Sequence, residues 1–158
     1  MSFKANIKIK IDTLMPSPDE AGDPAEIEPR FRRSRFTDEG EGDVMTRGGI
    51  VTVTRMMVAG TFLEISFSKE DPSIVTIRRG GGEAGTPILL VLEEGVRHIC
   101  LNSSGDASIE VITTCRKLEN NIMKTGRLFA DYSVELHGFR VEKTAITLEL
   151  KKHHTEGN

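Results

Sequence analysis

Apolar residues along this chain recur at every second position in five separate segments. Ile7, Ile9 and Ile11 alternate with Lys8, Lys10 and Asp12, the signature of a strand with one face buried and the other wet. Leu63, Ile65 and Phe67 repeat the pattern against Glu64 and Ser66, and Ile109, Val111, Thr113 and Cys115 against Ser108, Glu110 and Thr114. Leu128, Ala130, Tyr132, Val134 and Leu136 make the longest stripe, with Asp131, Ser133 and Glu135 on its other side. Ile146, Leu148 and Leu150 alternate with Thr147, Glu149 and Lys151.

Turn residues fall between these segments at hairpin spacing. Arg47-Gly48-Gly49 precedes a strand over 50–57, Ala59-Gly60 the Phe62 strand, and Asp71-Pro72-Ser73 a strand over 74–79. Gly80-Gly81-Gly82 interrupts the chain before 87–92, a nearly continuous apolar run that reads as a central strand. Glu93-Glu94-Gly95, 102–106 and Leu136-His137-Gly138 supply the remaining reversals. The expectation is an all-β protein: one antiparallel up-and-down barrel of about eight to ten strands, since a sheet of that width closes to remove its edges. Residues 1–158 form a single domain on this reading. It carries loop insertions at 15–25, where Pro16, Pro18 and Pro24 lie, and at the acidic, glycine-containing 37–47, with a flexible tail over 152–158. A short turn of helix is expected around 118–123.

Composition narrows the picture modestly. A hydrophobic fraction of 37% suits a sheet wetted on one face, and a net charge of −3 offers no global attraction to nucleic acid or an anionic membrane. No run of about 18 apolar residues appears. Met1-Ser2-Phe3-Lys4-Ala5-Asn6 leads directly into alternating Ile and Lys. A cytoplasmic protein with Cys100 and Cys115 as reduced thiols is therefore expected.

Three stretches invite chemistry. Arg30, Arg32, Arg33 and Arg35, interleaved with Phe31 and Phe36, carry the residue types that hold phosphates and stack on bases. We favour a plainer role, with the arginines covering a barrel wall and pairing with Asp38, Glu39 and Glu41. Arg97 and His98 beside Glu93 and Glu94 suggest acid–base or metal chemistry, but match no ligand spacing and suit a turn held by polar contacts. Gly80-Gly81-Gly82 lacks the Lys-Ser/Thr of a phosphate loop. No catalytic residue, metal site or cofactor is assigned.

The turn Val91-Leu92-Glu93-Glu94-Gly95-Val96-Arg97-His98 resembles that of a family of small uncharacterised bacterial proteins with a calycin-like, lipocalin-type β-barrel. Val75 to Gly80, Thr113 to Asn121 and the closing hairpin from Gly126 to Leu150 are similar to further segments of that family. The chain departs from it over Val51 to Met57, where the family carries an aromatic and acidic strand. The resemblance implies the fold and no reaction or ligand; by analogy with calycin-like barrels in general, the expectation is a barrel that holds a small lipophilic or amphipathic ligand without catalysis. Tyr132, Ala130, Met56, Arg97 and His98 are the residues expected to meet it, Ala130 leaving room in the inward stripe. The alternative is a solid barrel whose surface, through Arg30, Arg32, Arg33 and Arg35, binds protein or RNA. Catalysis through His98, Glu94 and Arg97 is a third reading. No membrane partner is expected, and a homodimer is compatible with the sequence.

Overall fold

The computed structural model describes residues 1–16, 31–57, 61–80, 88–104, 107–136 and 139–152. Ten strands follow in chain order: β1 (Ser2–Pro16), β2 (Phe31–Arg47), β3 (Ile50–Met56), β4 (Phe62–Ser68), β5 (Ile74–Gly80), β6 (Ile88–Glu93), β7 (Arg97–Ser104), β8 (Ala107–Asn121), β9 (Arg127–Leu136) and β10 (Phe139–Lys152). They form one sheet in the order β6-β5-β4-β3-β2-β1-β10-β9-β8-β7, every ladder antiparallel. The sheet curls into a nearly closed up-and-down barrel. No helix among the described residues is long and apolar enough to cross a membrane.

The alternating positions do what their period requires. Ile7, Ile9, Val51, Val53, Ile65, Ile77, Leu90, Leu92, Leu128, Ile146 and Leu148 are all buried in one aliphatic cluster inside the barrel. Removing this apolar surface from water is the main favourable term for the fold. A single turn of helix, α1 (Ile122–Thr125), lies between β8 and β9 and sends Ile122 into the same cluster. Gly126 ends the helix at φ 77°, in the left-handed region, and its N–H bonds the Ile122 carbonyl at 3.1 Å. A side chain at 126 would also meet the Leu150 carbonyl oxygen at 2.6 Å. The helix falls four residues later than its expected start.

Two expectations are corrected. Residues 37–47 are not a loop but the second half of β2, paired with β1 from Thr37↔Lys10 to Met45↔Ser2. Their glycines are inward positions. A Cβ on Gly42 would collide with the Ile7 Cδ1 and stand 2.6 Å from the Thr54 carbonyl oxygen, and one on Gly40 would lie 2.8 Å from the Arg55 guanidinium carbon. Glycine here makes space for neighbouring side chains rather than breaking the strand. The apolar run over 87–92 is not central: β6 ends the ladder. It also lies against β7 and β8, with Leu90 and Leu92 buried inside and Leu89 37% exposed on the outer face. The remaining boundary expectations fall largely outside the described residues, namely 17–25, Gly81 and Gly82, 105–106, His137 and the tail from 153. Met15, Pro16 and Lys152 belong to strands.

That meeting of β6 with β7 and β8 contains no regular backbone ladder. Side chains join it instead. The Asn102 carboxamide accepts from the Leu89 N–H at 2.9 Å and donates to the Leu89 carbonyl at 3.3 Å. The Thr113 hydroxyl donates to the Val91 carbonyl at 2.6 Å, and the Gly95 N–H to the Cys115 carbonyl at 2.8 Å.

The glycine positions provide a direct check. Gly42→Ala should destabilise the protein by about 2 kcal/mol through overpacking against Ile7 and the Thr54 backbone. Gly40→Ala should cost less, because the Arg55 tip can swing away. Urea unfolding of both variants measures the order; equal stabilities would mean that β2 does not approach β3 as closely as described.

Candidate functional site

The barrel interior is not uniform along its axis. Toward the α1 end it is filled by aliphatic side chains. Toward the other end the inward positions turn polar, because the alternation delivers Thr13, Asp38, Arg55, Arg79, Thr113, Tyr132, Glu142 and Thr144 to the same face as the core.

Arg79 on β5 and Glu142 on β10 form an ion pair. With β6 abutting β7, these two strands are five places apart in either direction round the ring, so they stand on opposite walls. Their side chains therefore bridge the lumen. Both are largely shielded, at 27% and 13% side-chain exposure. Burial disfavours the Arg79 charge, but Tyr132 and Glu142 outweigh it, and the guanidinium stays protonated above its ordinary range. Beside the pair, the Tyr132 phenol is 1% exposed and bonds with Thr144. Burial pushes its pKa up to about 12, with Arg79 pulling the other way, so it is a neutral donor. Thr144 in turn donates to Thr13 at 3.5 Å, extending the polar layer across β9, β10 and β1.

A second ion pair joins Arg55 Nε and Asp38 Oδ2 at 3.0 Å. Those two atoms lack hydrogen-bonding geometry toward a partner, and the hydrogen bond of the pair runs from Arg55 Nη2 to Asp38 Oδ1 at 3.5 Å. Arg55 also donates to the Glu41 carbonyl at 3.2 Å. It thereby occupies the place where β3 ceases to accompany β2, whose ladder to β3 covers only Asp43–Arg47. Leu63 lies between Arg55 and Arg79 in register, with Ile88 beyond. Half-buried Ile11, Met57 and Ile88 pack on the core nearby, and Phe36, opposite Ile11, is 40% exposed. This end of the interior thus combines two charge pairs and a phenol with an apolar surround.

The expected ligand residues divide. Tyr132 and Ala130 are inside and fully buried. Met56 is on the outer face and 56% exposed; strand parity hands the inward position to Met57. Arg97 is exposed on the outside, 4.0 Å from Glu135. His98 is held by Glu93 at 3.0 Å within the β6–β7 junction, and Glu94 accepts the Leu118 N–H at 3.0 Å. His98, Glu94 and Arg97 thus have separate partners and do not converge on one point. Arg33 and Arg35 pair with Asp12, at 3.3 and 3.7 Å, and not with Asp38, Glu39 or Glu41. Those carboxylates contact Arg55, Asn6 and Lys4 respectively. Arg32 is exposed, and Arg30 lies outside the described residues. The residues that sequence reasoning missed, Arg79, Glu142, Arg55 and Asp38, carry one available signal: each is a charge at an apolar parity position.

Cys100 and Cys115 are free thiols, Cys100 facing Val111 and Cys115 facing Tyr132 across their ladders. Burial, aided by Glu94 and Asp131 and opposed by hydrogen bonding from the Lys117 backbone, raises Cys115 to about 11. An acid held neutral in the fold stabilises it below the unfolded pKa and loses that contribution as pH rises through the folded one. Stability should therefore fall between pH 9.0 and about 11 through Cys115, and between pH 10.0 and about 12 through Tyr132. Cys115→Ala should flatten the first interval in pH-dependent urea unfolding; an unchanged profile would refute the assignment. Separately, Arg79→Met should cost about 3 kcal/mol by stranding a buried carboxylate, whereas Arg79→Met with Glu142→Leu should recover most of that loss. A double-mutant cycle measures the difference.

No family model and no curated protein sequence matches the chain. Among solved structures, it is similar to the ywiB protein from Bacillus subtilis, with 11% sequence identity over 94% of each chain and a TM-score of 0.55. At that identity the likeness concerns the fold: an all-β barrel shared over nearly the whole chain.

Proposed function

We propose that the protein is a non-catalytic binding barrel whose polar mouth takes a small amphipathic molecule. The observation that carries this reading is the Arg79–Glu142 pair bridging the lumen above an aliphatic floor. Preset guanidinium, carboxylate and phenol groups in a shielded site can orient a polar headgroup, and apolar side chains around them favour a short hydrocarbon portion. The packed cluster below limits how far that portion enters. A calycin-like character, suggested by the turn from Val91 to Cys100, agrees with a ligand held at one open end.

The headgroup that fits best is an anion or a hydrogen-bonding carbonyl compound. Arg79 and Arg55 offer planar donors that suit carboxylates, and the neutral Tyr132 adds another donor. Catalysis finds less support, because His98, Glu94 and Arg97 have separate partners.

A fluorescent medium-chain fatty acid is a suitable probe. One molecule per barrel should bind, and Arg79→Met with Glu142→Leu should weaken binding about tenfold, as expected for losing a charge-assisted contact. Native mass spectrometry of the purified protein should show a retained small molecule in the unsubstituted chain. Equal probe affinity in both proteins, with no retained molecule, would overturn the reading.

A further inference from the structure

The outer wall carries a second arrangement, distinct from the mouth. Strand parity turns Arg33 and Arg35 of β2 outward, beside Lys10, Asp12 and Leu14 of β1. Next comes β10, where Lys143 faces Leu14 and Ala145 faces Asp12. Ala145 faces Asp131 of β9, which in turn faces Lys117 of β8. The β8 irregularity between Cys115 and Lys117 places Arg116 at the same spot, bonded to Asp131 at 2.5 Å. Six cations, Lys10, Arg33, Arg35, Arg116, Lys117 and Lys143, thus gather from strands far apart in sequence.

Three carboxylates accompany them. Asp12 holds Arg33 and Arg35, Asp131 holds Arg116, and Glu119 pairs with Lys117 at 3.2 Å. The patch therefore has a local excess of positive charge on a chain whose net charge is −3. Lys143 has no ion pair among the described residues. The small Ala145 side chain leaves a depression of about 230 Å³, bounded by Arg33, Arg116 and Lys143 on the basic side and by Asp12 and Asp131.

We propose that this face binds the phosphate backbone of single-stranded RNA. Five adjacent strands at about 4.8 Å spacing spread the cations over roughly 19 Å, too broad for one small phosphate and suited to several consecutive ones. Three of the six are arginines, whose planar donors match phosphate oxygens. The carboxylates keep the guanidinium groups oriented and moderate the affinity, so binding is weak, salt-dependent and insensitive to sequence. The inference is independent of the mouth, which opens into the lumen rather than onto this wall.

The test uses the full chain and a fluorescein-labelled oligouridylate of about 12 nucleotides, whose affinity should fall with salt at a log–log slope near −0.7 per phosphate contacted. Lys143→Gln and Arg116→Gln should each weaken binding several-fold and flatten that slope, with unchanged melting. Asp12→Asn should tighten binding. Lys151→Gln, at the far end of β10, and the paired Arg79→Met, Glu142→Leu variant should bind as the unsubstituted chain does. Absence of binding at low salt overturns the proposal, as does an affinity indifferent to Lys143 and Arg116. Equal competition by uridine monophosphate would reassign the depression to a small phosphate, and equal competition by oligoglutamate to an acidic peptide; either result refutes the RNA assignment.

Discussion

A sheet of ten strands has two edges, and how these edges meet governs everything else in this molecule. Backbone N–H and C=O groups at an unpaired edge need partners if they are shielded from water. Between β6 and β7 the chain supplies them from side chains. The Asn102 carboxamide takes both backbone groups of Leu89, and Thr113 reaches the carbonyl of Val91. This arrangement brings β6 close enough for Leu90 and Leu92 to join the interior. It also sets the ring in which β5 faces β10, and so makes possible the ion pair across the lumen.

Much of the barrel was legible because its period is local. An isoleucine at 7, 9 and 11 declares a strand whatever else the chain does, and the buried residues include most of the predicted stripes. Legibility failed where a residue type carries two meanings. Gly40 and Gly42, among acidic neighbours, suggest a loop, yet they are strand positions emptied for Arg55 and Ile7. The apolar 87–92 run suggests a central strand, yet it ends the ladder and meets the other edge through side-chain contacts. Neither outcome depends on local preference; both depend on which strand arrives alongside.

The candidate site was less legible for the same reason. Tyr132 and Ala130 stand in the longest stripe, and parity alone puts them inside. Arg79 and Glu142 are 63 residues apart, and only ring closure makes them neighbours. The arginine-rich stretch shows the converse. It looks like one basic strip in sequence, but alternation sends Arg33 and Arg35 outward, to meet Arg116 and Lys143 from the other half of the chain. A charge cluster in sequence and one in space are different objects in a β protein.

Stability alone does not account for the charges in the polar end of the interior. A buried ion pair gives little net gain over an aliphatic pair of the same volume, because desolvation offsets most of its attraction. The barrel already fills its lower interior with Ile, Leu and Val, and the same residue types would complete the upper layer at no electrostatic cost. Instead that layer holds Arg79, Glu142, Arg55 and Asp38, with Tyr132 kept neutral beside them. Such a layer holds fixed donors and acceptors where a packed core has none. The proposed binding role accounts for that difference, between a floor that only needs to exclude water and a layer built at a cost in desolvation.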